Sequence, residues 1–198
     1  MALFVVGCGG VGREALDVAI AAGIRVDGFI DEHHAGATVR GLPVTGLDGA
    51  PAGAGYHLGL ADPVARERLT AELERRGLQP VTLIHPRAVV GPDTVVGEGC
   101  LIMAGAHVSS SVTLGRHVQV QYNATVGHDA RLDDYAVVLP GANVSGTVHL
   151  GAGATVGTGA CVLQGRSVGR GAFIGAGAVV TADVPDGVTV VGVPARAR

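Results

Sequence analysis

The chain has 198 residues, with 33 glycines, no tryptophan, and 14 basic residues against 17 acidic ones, for a net charge of −3. A mildly acidic chain without a basic run is a poor candidate for binding nucleic acid, and no Arg-rich amphipathic segment favours a membrane surface. No apolar stretch approaches the ~20 residues of a membrane-spanning helix. The three cysteines are widely spaced and suggest no disulfide framework. We therefore expect a cytoplasmic protein.

The amino-terminal part of the chain, residues 1–80, alternates short apolar runs with helical patterns. A helix is predicted over residues 11–22, whose apolar side chains fall on one face. A second helix is predicted from Asp62, an N-cap followed by Pro63, to about Arg76. Strands are predicted at residues 2–6, 26–30, 56–60 and 81–84. We therefore predict a small Rossmann-like α/β domain over residues 1–80.

A glycine-rich turn joins the first predicted strand to the first predicted helix. Its sequence from Gly7 to Gly12 is GCGGVG, and these glycines permit a tight turn and close approach of a phosphate to backbone N–H groups. Asp31, at the end of the second predicted strand, is suited to accept hydrogen bonds from a ribose or a base. The domain is too short for a dinucleotide, so we predict a nucleotide or nucleotide-sugar site. A tight turn with a purely structural role is the alternative.

From Ile84 to Val180, an aliphatic residue returns at every sixth position without a gap. All 17 of these positions hold Ile, Leu or Val, the following residue is Gly in eight cases, and the residue four places on is Ala in ten. Three such hexads make one triangular coil of ~18 residues in a left-handed parallel β-helix. We predict this architecture over residues 81–198, with the aliphatic residues pointing inward and functional groups at the corners.

The two parts together resemble the PglD/NeuD-type sugar acyltransferases, hexapeptide-repeat enzymes that acetylate bacterial amino sugars and sialic acid. The resemblance covers essentially the whole chain. It is carried by the glycine turn, the acidic pair Asp31-Glu32, Ile84-His85-Pro86, Gly127-His128-Asp129-Ala130 and the ending Val191-Gly192-Val193-Pro194-Ala195-Arg196. The chain departs from the family pattern at Val11 and Val137, where His is common, and at Gln121, where Asn is usual.

The resemblance implies an acetyl-CoA-dependent N-acetyltransferase that acts on a nucleotide-linked deoxyamino sugar, such as a UDP-4-amino-trideoxy sugar or GDP-perosamine. It implies His128 as the general base and Asp129 as the residue that tunes it. It implies nucleotide-sugar binding at Gly9, Gly10, Asp31, Glu32 and Gly59, and acetyl-CoA binding at Gly146, Thr158 and Ala176. A homotrimer without a metal is expected.

The length of one coil adds a geometric expectation to this assignment. Gly146 follows His128 in the chain by one full coil of three hexads, so it should lie directly above His128 on the same corner. Its N–H could then hold the thioester oxygen as negative charge develops.

Three alternative functions remain open. An O-acetyltransferase of sialic acid or another sugar would use the same His128. An inactive β-helix scaffold would need neither the glycine turn nor the His-Asp corner. A γ-class carbonic anhydrase needs two metal-binding histidines stacked in one column. The histidines of the repeat region are His107, His117, His128 and His149. No two of them are separated in sequence by a whole number of coils, so none of them stack.

Overall fold

The computed structural model describes residues 1–198 and divides into two compact units, Met1–His85 and Pro86–Arg198. Neither of its two helices combines the length and the apolar character needed to cross a bilayer.

The amino-terminal unit is built on a six-stranded sheet with the order β3-β4-β2-β1-β5-β6. The central strand β1 pairs in parallel with β2 on one side and β5 on the other. Only the β3–β4 pair is antiparallel. The strands of this unit are β1 Leu3–Val6, β2 Gly28–Ile30, β3 Thr38–Val39, β4 Leu42–Thr45, β5 Gly55–Leu58, β6 Gln79–Pro80 and β7 Leu83–Ile84.

Two helices accompany this sheet, α1 Gly10–Ala21 and α2 Pro63–Arg75. The predicted start of α2 is confirmed, because the Asp62 carboxylate accepts a hydrogen bond of 2.9 Å from the N–H of Val64. Short 3₁₀ turns lie at Glu32–His34 and Leu47–Gly49.

The prediction of one strand at residues 81–84 is wrong in detail, and β3 and β4 are absent from the predicted elements. Only Leu83–Ile84 forms β7, and a separate strand precedes it at Gln79–Pro80. Pieces this short carry no periodicity, so sequence patterns do not separate them from loops.

One cluster of the core of the amino-terminal unit lies near the end of the sheet where the strands finish. Val6, Ile30 and Leu58 are the last residues of β1, β2 and β5, and all three are buried with Tyr56 and Leu73. Burying one such aliphatic side chain stabilises the fold by roughly 1.5–3 kcal/mol. This cluster fixes where the loops after β1 and β2 begin.

The carboxy-terminal unit is a parallel β-helix whose strands are two residues long, except for the three-residue strand Thr189–Val191. Strands that are one coil apart in the chain pair in register, as in Gln119↔Val137, Thr125↔Asn143 and Arg131↔His149. The strands are β8 Val89–Val90, β9 Val95–Val96, β10 Leu101–Ile102, β11 His107–Val108, β12 Thr113–Leu114, β13 Gln119–Val120, β14 Thr125–Val126, β15 Arg131–Leu132, β16 Val137–Val138, β17 Asn143–Val144, β18 His149–Leu150, β19 Thr155–Val156, β20 Cys161–Val162, β21 Ser167–Val168, β22 Phe173–Ile174, β23 Val179–Val180, β24 Thr189–Val191 and β25 Arg196–Ala197.

These strands form three faces. The first face contains β10, β13, β16, β19, β22, β24 and β25, the second contains β8, β11, β14, β17, β20 and β23, and the third contains β9, β12, β15, β18 and β21. The predicted inward column is confirmed from Ile102 to Val180, where every sixth residue is almost fully buried. At the start of the column, Ile84, Val90 and Val96 are half-buried.

The corners between the faces recur at every sixth position from Asp93 to Gly177, and each has a residue with positive φ. Glycine has a second role at the position after the aliphatic residue. A Cβ on Gly127, for example, would lie 2.4 Å from the backbone nitrogen of Gly146 in the next coil. The coils therefore stack too closely for a side chain at such positions.

Candidate active site

His128 and Asp129 lie on the corner between β14 of the second face and β15 of the third. Their side chains are 54% and 58% exposed, and His128 Nδ1 lies 2.7 Å from Asp129 Oδ2. When Nδ1–H donates to this carboxylate, the lone pair of Nε2 is free to accept a proton. The corner therefore presents an oriented base to solvent.

Gly146 lies directly above His128, as the coil spacing predicts. The Thr147 N–H donates a hydrogen bond of 2.8 Å to the His128 carbonyl, which ties the two coils together at this corner. A Cβ on Gly146 would lie 2.6 Å from Nε2 and 2.7 Å from Cε1 of His128. The imidazole of His128 therefore occupies the space that the side chain of any other residue at position 146 would fill. The N–H of Gly146 donates to no group in the chain.

Thr158 and Ala176 lie on a different corner, between the first and second faces. They also stack, because the Gly177 N–H donates a hydrogen bond of 2.9 Å to the Thr158 carbonyl. Within one chain, therefore, the residues predicted to bind acetyl-CoA lie on two corners. Gly146 shares the corner of His128, whereas Thr158 and Ala176 lie on the corner between the first and second faces.

The amino-terminal unit contains a cavity of about 230 Å³ at the carboxyl ends of β1 and β2. Asp31 and Glu32 line it, as does Gly7 of the glycine turn, whereas Gly9, Gly10 and Gly59 do not. Its walls are largely apolar, and Arg68 of α2 is the one arginine among them. The lining consists of Val6, Gly7, Ile30, Asp31, Glu32, His33, Leu47, Leu60, Arg68 and Leu69.

Asp31 connects the loop after β2 to the glycine turn. Its Oδ2 accepts from the N–H and the thiol of Cys8, each at 3.2 Å, and its Oδ1 accepts from the His33 N–H and faces His34 Nδ1, each at 3.1 Å. Partial burial of Asp31 alone would raise its pKa, but hydrogen bonds from His34, Cys8 and His33 outweigh burial and lower the pKa to about 2. Both oxygens are already engaged within the chain.

Glu32 is held in place differently. Its Oε1 accepts a hydrogen bond of 2.6 Å from the Leu47 N–H, and a Cβ on Gly46 would lie 3.0 Å from Oε2. The carboxylate therefore lies against the glycine with one oxygen still available. Arg68 makes no ion pair or hydrogen bond within the chain.

The glycines of the turn divide into two groups. A Cβ on Gly12 would lie 1.9 Å from the Gly7 carbonyl oxygen, and one on Gly59 would lie 2.4 Å from the Cα of Gly12. Gly12 and Gly59 thus allow α1 to begin against the strand ends. A Cβ on Gly9 or Gly10, by contrast, would meet no atom within 4 Å, so these two glycines lie open at the start of α1.

Sequence reasoning missed Arg68, Leu47, Leu60 and Leu69 as cavity residues. Leu47 begins a 3₁₀ turn that has no periodicity, Leu60 lies beyond β5 although the predicted strand at residues 56–60 included it, and Arg68 resembles any solvated residue of an amphipathic helix. Only the packing of α2 beside the strand ends brings them to the cavity.

Comparison with known proteins gives the family. The pattern described as bacterial transferase hexapeptide (six repeats) matches residues 93–128. Perosamine N-acetyltransferase from Caulobacter crescentus, solved as a variant in complex with CoA and GDP-perosamine, is 30% identical, with a TM-score of 0.95 over 100% of this chain and 97% of that one. The chain belongs to the hexapeptide-repeat nucleotide-sugar N-acetyltransferases.

Two further members of this family agree with the assignment. The acetyltransferase domain of PglB from Neisseria gonorrhoeae is 36% identical, with a TM-score of 0.94 over 100% of this chain and 99% of that one. GDP-perosamine N-acetyltransferase from Escherichia coli O157:H7 is 33% identical over 92 residues, which are 44% of this chain and 42% of that enzyme. The alignment with the curated relative thus spans less than half of its length.

Proposed function

We propose that the protein transfers an acetyl group from acetyl-CoA to the amino group of a nucleotide-linked deoxyamino sugar. The observation that carries this proposal is the exposed His128–Asp129 pair with Gly146 stacked above the imidazole. It occurs in a chain whose relatives are N-acetyltransferases, one of them solved with CoA and GDP-perosamine. Those relatives favour an amine acceptor over the hydroxyl that an O-acetyltransferase would use.

His128 acts as the general base in this proposal. As the sugar amine attacks the thioester carbonyl, its nitrogen forms the new C–N bond and gives a proton to His128 Nε2. The carbonyl oxygen becomes negatively charged, and the free N–H of Gly146 stabilises it. The tetrahedral intermediate then expels the CoA sulfur, which takes the proton from Nε2. Asp129 holds the imidazole tautomer and stabilises the imidazolium between the two transfers.

The amino-terminal unit, as a Rossmann-like domain over residues 1–80, holds the nucleotide in this proposal. The apolar wall of its cavity suits the flat face of a base or a ribose. Glu32 has a free carboxylate oxygen for an N–H or O–H donor, while Asp31 fixes the loop. The N–H groups of Gly9 and Gly10, at the start of α1, donate to no carbonyl of the chain, and together with the unpaired guanidinium of Arg68 they are suited to a diphosphate.

We further propose a homotrimer, because one chain separates the predicted acetyl-CoA residues between two corners; a cytoplasmic location stays a prediction. Gly146 shares the corner of His128, whereas Thr158 and Ala176 lie on the next corner around the prism. Packing three prisms side by side would bring one copy's His128 corner to a neighbour's Thr158 corner. Acetyl-CoA would then bind between two copies.

The experiment is a measurement of free-thiol release from acetyl-CoA across a panel of acceptors. The panel contains GDP- and UDP-linked 4-amino sugars, the matched 4-hydroxy sugars and free sialic acid. We expect turnover with an amino sugar and none with its hydroxyl counterpart. Turnover with sialic acid or a hydroxyl sugar alone would make the protein an O-acetyltransferase. No turnover and no binding of acetyl-CoA would favour the inactive scaffold.

A further inference from the structure

Three side chains of different metal-binding types meet where the glycine turn approaches the loop after β2. Cys8 Sγ lies 3.2 Å from Asp31 Oδ2, and His34 Nδ1 lies 3.1 Å from Asp31 Oδ1. The three donor atoms all lie within 4.8 Å of one another. None of the three belongs to the unit that holds His128.

We propose that Cys8, Asp31 and His34 bind a divalent cation of the zinc class. Thiolate, carboxylate and imidazole are donors that zinc prefers, and three protein ligands leave the fourth tetrahedral position to water. With bond lengths of about 2.0–2.3 Å, neighbouring donors in a tetrahedral site lie roughly 3.3–3.5 Å apart. Sγ of Cys8 lies 3.2 Å from Oδ2 of Asp31, and Nδ1 of His34 lies 3.1 Å from Oδ1, so each of these two ligands has a different oxygen of the carboxylate at about this spacing.

The backbone holds two of the three ligands in place before any ion binds. The Gly7 N–H donates a hydrogen bond of 2.7 Å to the Ile30 carbonyl, which continues the pairing of β1 with β2 up to Cys8 and Asp31. The Asp31 N–H donates a further bond of 2.8 Å to the Thr45 carbonyl. Preorganised ligands lower the entropy cost of binding an ion.

His34, the third ligand, has a side chain that can move to complete the site. His34 ends a short 3₁₀ turn, and its side chain is 60% exposed, so its imidazole can rotate inward without disturbing packed neighbours. Cys8, by contrast, is buried. The ion would enter from the solvent side, past His34, and contact the thiol last.

Binding exchanges one proton for one cation. The Cys8 S–H bond breaks, the sulfur forms a bond to the cation, and the proton leaves to the buffer. Asp31 contributes its carboxylate and His34 the lone pair of Nδ1. Two anionic ligands then neutralise the charge of the cation, so the site carries no net charge. The bound ion would tie the glycine turn to the loop after β2 and stabilise the amino-terminal unit by linkage.

The test is a titration of the full-length, reduced protein with Co²⁺, which substitutes for zinc and reports its ligands by absorption. We expect the visible bands of tetrahedral cobalt together with a thiolate-to-cobalt charge-transfer band, both abolished by an excess of Zn²⁺. Cys8→Ser should lose the charge-transfer band, and His34→Ala should weaken cobalt binding at least about tenfold.

Two matched variants control for other surface donors. His33→Ala removes the neighbouring imidazole, whose side chain lies outside the cluster although its N–H contacts Asp31. Cys161→Ser removes a half-buried thiol of the other unit. Both should bind cobalt like the wild type, and Zn²⁺ should raise the melting temperature of wild type and His33→Ala but not of His34→Ala. Any of three results would overturn the proposal. His34→Ala could bind cobalt as tightly as His33→Ala, or the charge-transfer band could survive in Cys8→Ser. The wild type could also show no tetrahedral spectrum at millimolar Co²⁺.

Discussion

His128 owes its orientation to two neighbours that act in different ways. Asp129 holds Nδ1 by a hydrogen bond of 2.7 Å, and Gly146 leaves the space in which the ring lies. The first contact depends on the corner geometry, because Asp129 has φ of 57°, a conformation in which Asp and Asn are tolerated better than other side chains. The same residue therefore serves the site and the turn.

Two substitutions at Asp129 separate these roles. Asp129→Asn keeps a side chain that accepts the Nδ1–H bond and tolerates positive φ, but it removes the charge that stabilises the imidazolium. We expect unfolding free energy close to wild type and a fall in kcat of roughly 10- to 100-fold. Asp129→Ala should lose activity and also about 1 kcal/mol of stability, because alanine is strained at this φ.

Steady-state kinetics and chemical denaturation of both variants check this prediction. A stability equal to wild type in Asp129→Ala would contradict the role in the turn. Full activity in Asp129→Asn would contradict the electrostatic role.

At the scale of elements, the β-helix was predictable because its signal is repeated. One aliphatic residue at every sixth position indicates the inward column, and a step of three hexads predicts the stacking of Gly146 on His128 from the sequence alone. The β3–β4 pair and the break between β6 and β7 were not predictable, because two-residue pieces lack periodicity.

The candidate nucleotide site was predictable only in outline. The glycine turn and the acidic pair are visible in the sequence, but the partners of Asp31 are not. Cys8 meets Asp31 only because β1 and β2 pair in a particular register, and His34 meets Asp31 through the 3₁₀ turn at Glu32–His34. Arg68 reaches the cavity through the packing of α2, which depends on tertiary contacts that a single sequence does not display.

The sheet of the amino-terminal unit also contains a pH-sensitive position. His57 in β5 is fully buried, and desolvation lowers its pKa to about 4; the charge of Arg66 acts in the same direction and a hydrogen bond to the Val81 carbonyl opposes it. Since the folded pKa lies below the unfolded value of about 6.5, His57 stabilises the fold above pH 6.5, and this contribution is lost as pH falls towards 4. The contribution of His57 to the free energy of unfolding is about 3 kcal/mol.

Urea unfolding followed by circular dichroism at helical wavelengths checks this prediction, because both helices lie in the amino-terminal unit. The wild type should lose stability between pH 6.5 and 4.5, whereas His57→Gln should show a much flatter dependence. His33→Gln, which changes an exposed histidine, should keep the wild-type slope. Asp31 does not obscure this window, since its pKa of about 2 confines its contribution to lower pH. A wild-type slope in His57→Gln would contradict the assignment.

At the scale of the whole molecule, the two units divide the proposed reaction between them. The amino-terminal unit offers a cavity with acidic residues, one free arginine and an open helix start for the nucleotide, and the β-helix offers the base and the backbone for acetyl transfer. The mild net charge of −3 of the whole chain does not favour binding of nucleic acid.

His128 is the base of the proposed reaction, and the chain provides a matched control for this role. His149 also forms a His–Asp pair, with Nε2 2.8 Å from Asp133 Oδ2 and a side chain 47% exposed, but it lies on the flat third face. The decisive measurement compares thiol release from acetyl-CoA by His128→Ala and His149→Ala with the amino-sugar acceptor that the wild type uses. We predict that His128→Ala loses at least about 100-fold in kcat with its fold intact, while His149→Ala stays within about twofold of wild type. Wild-type turnover by His128→Ala, or an equal loss in both variants, would contradict the account.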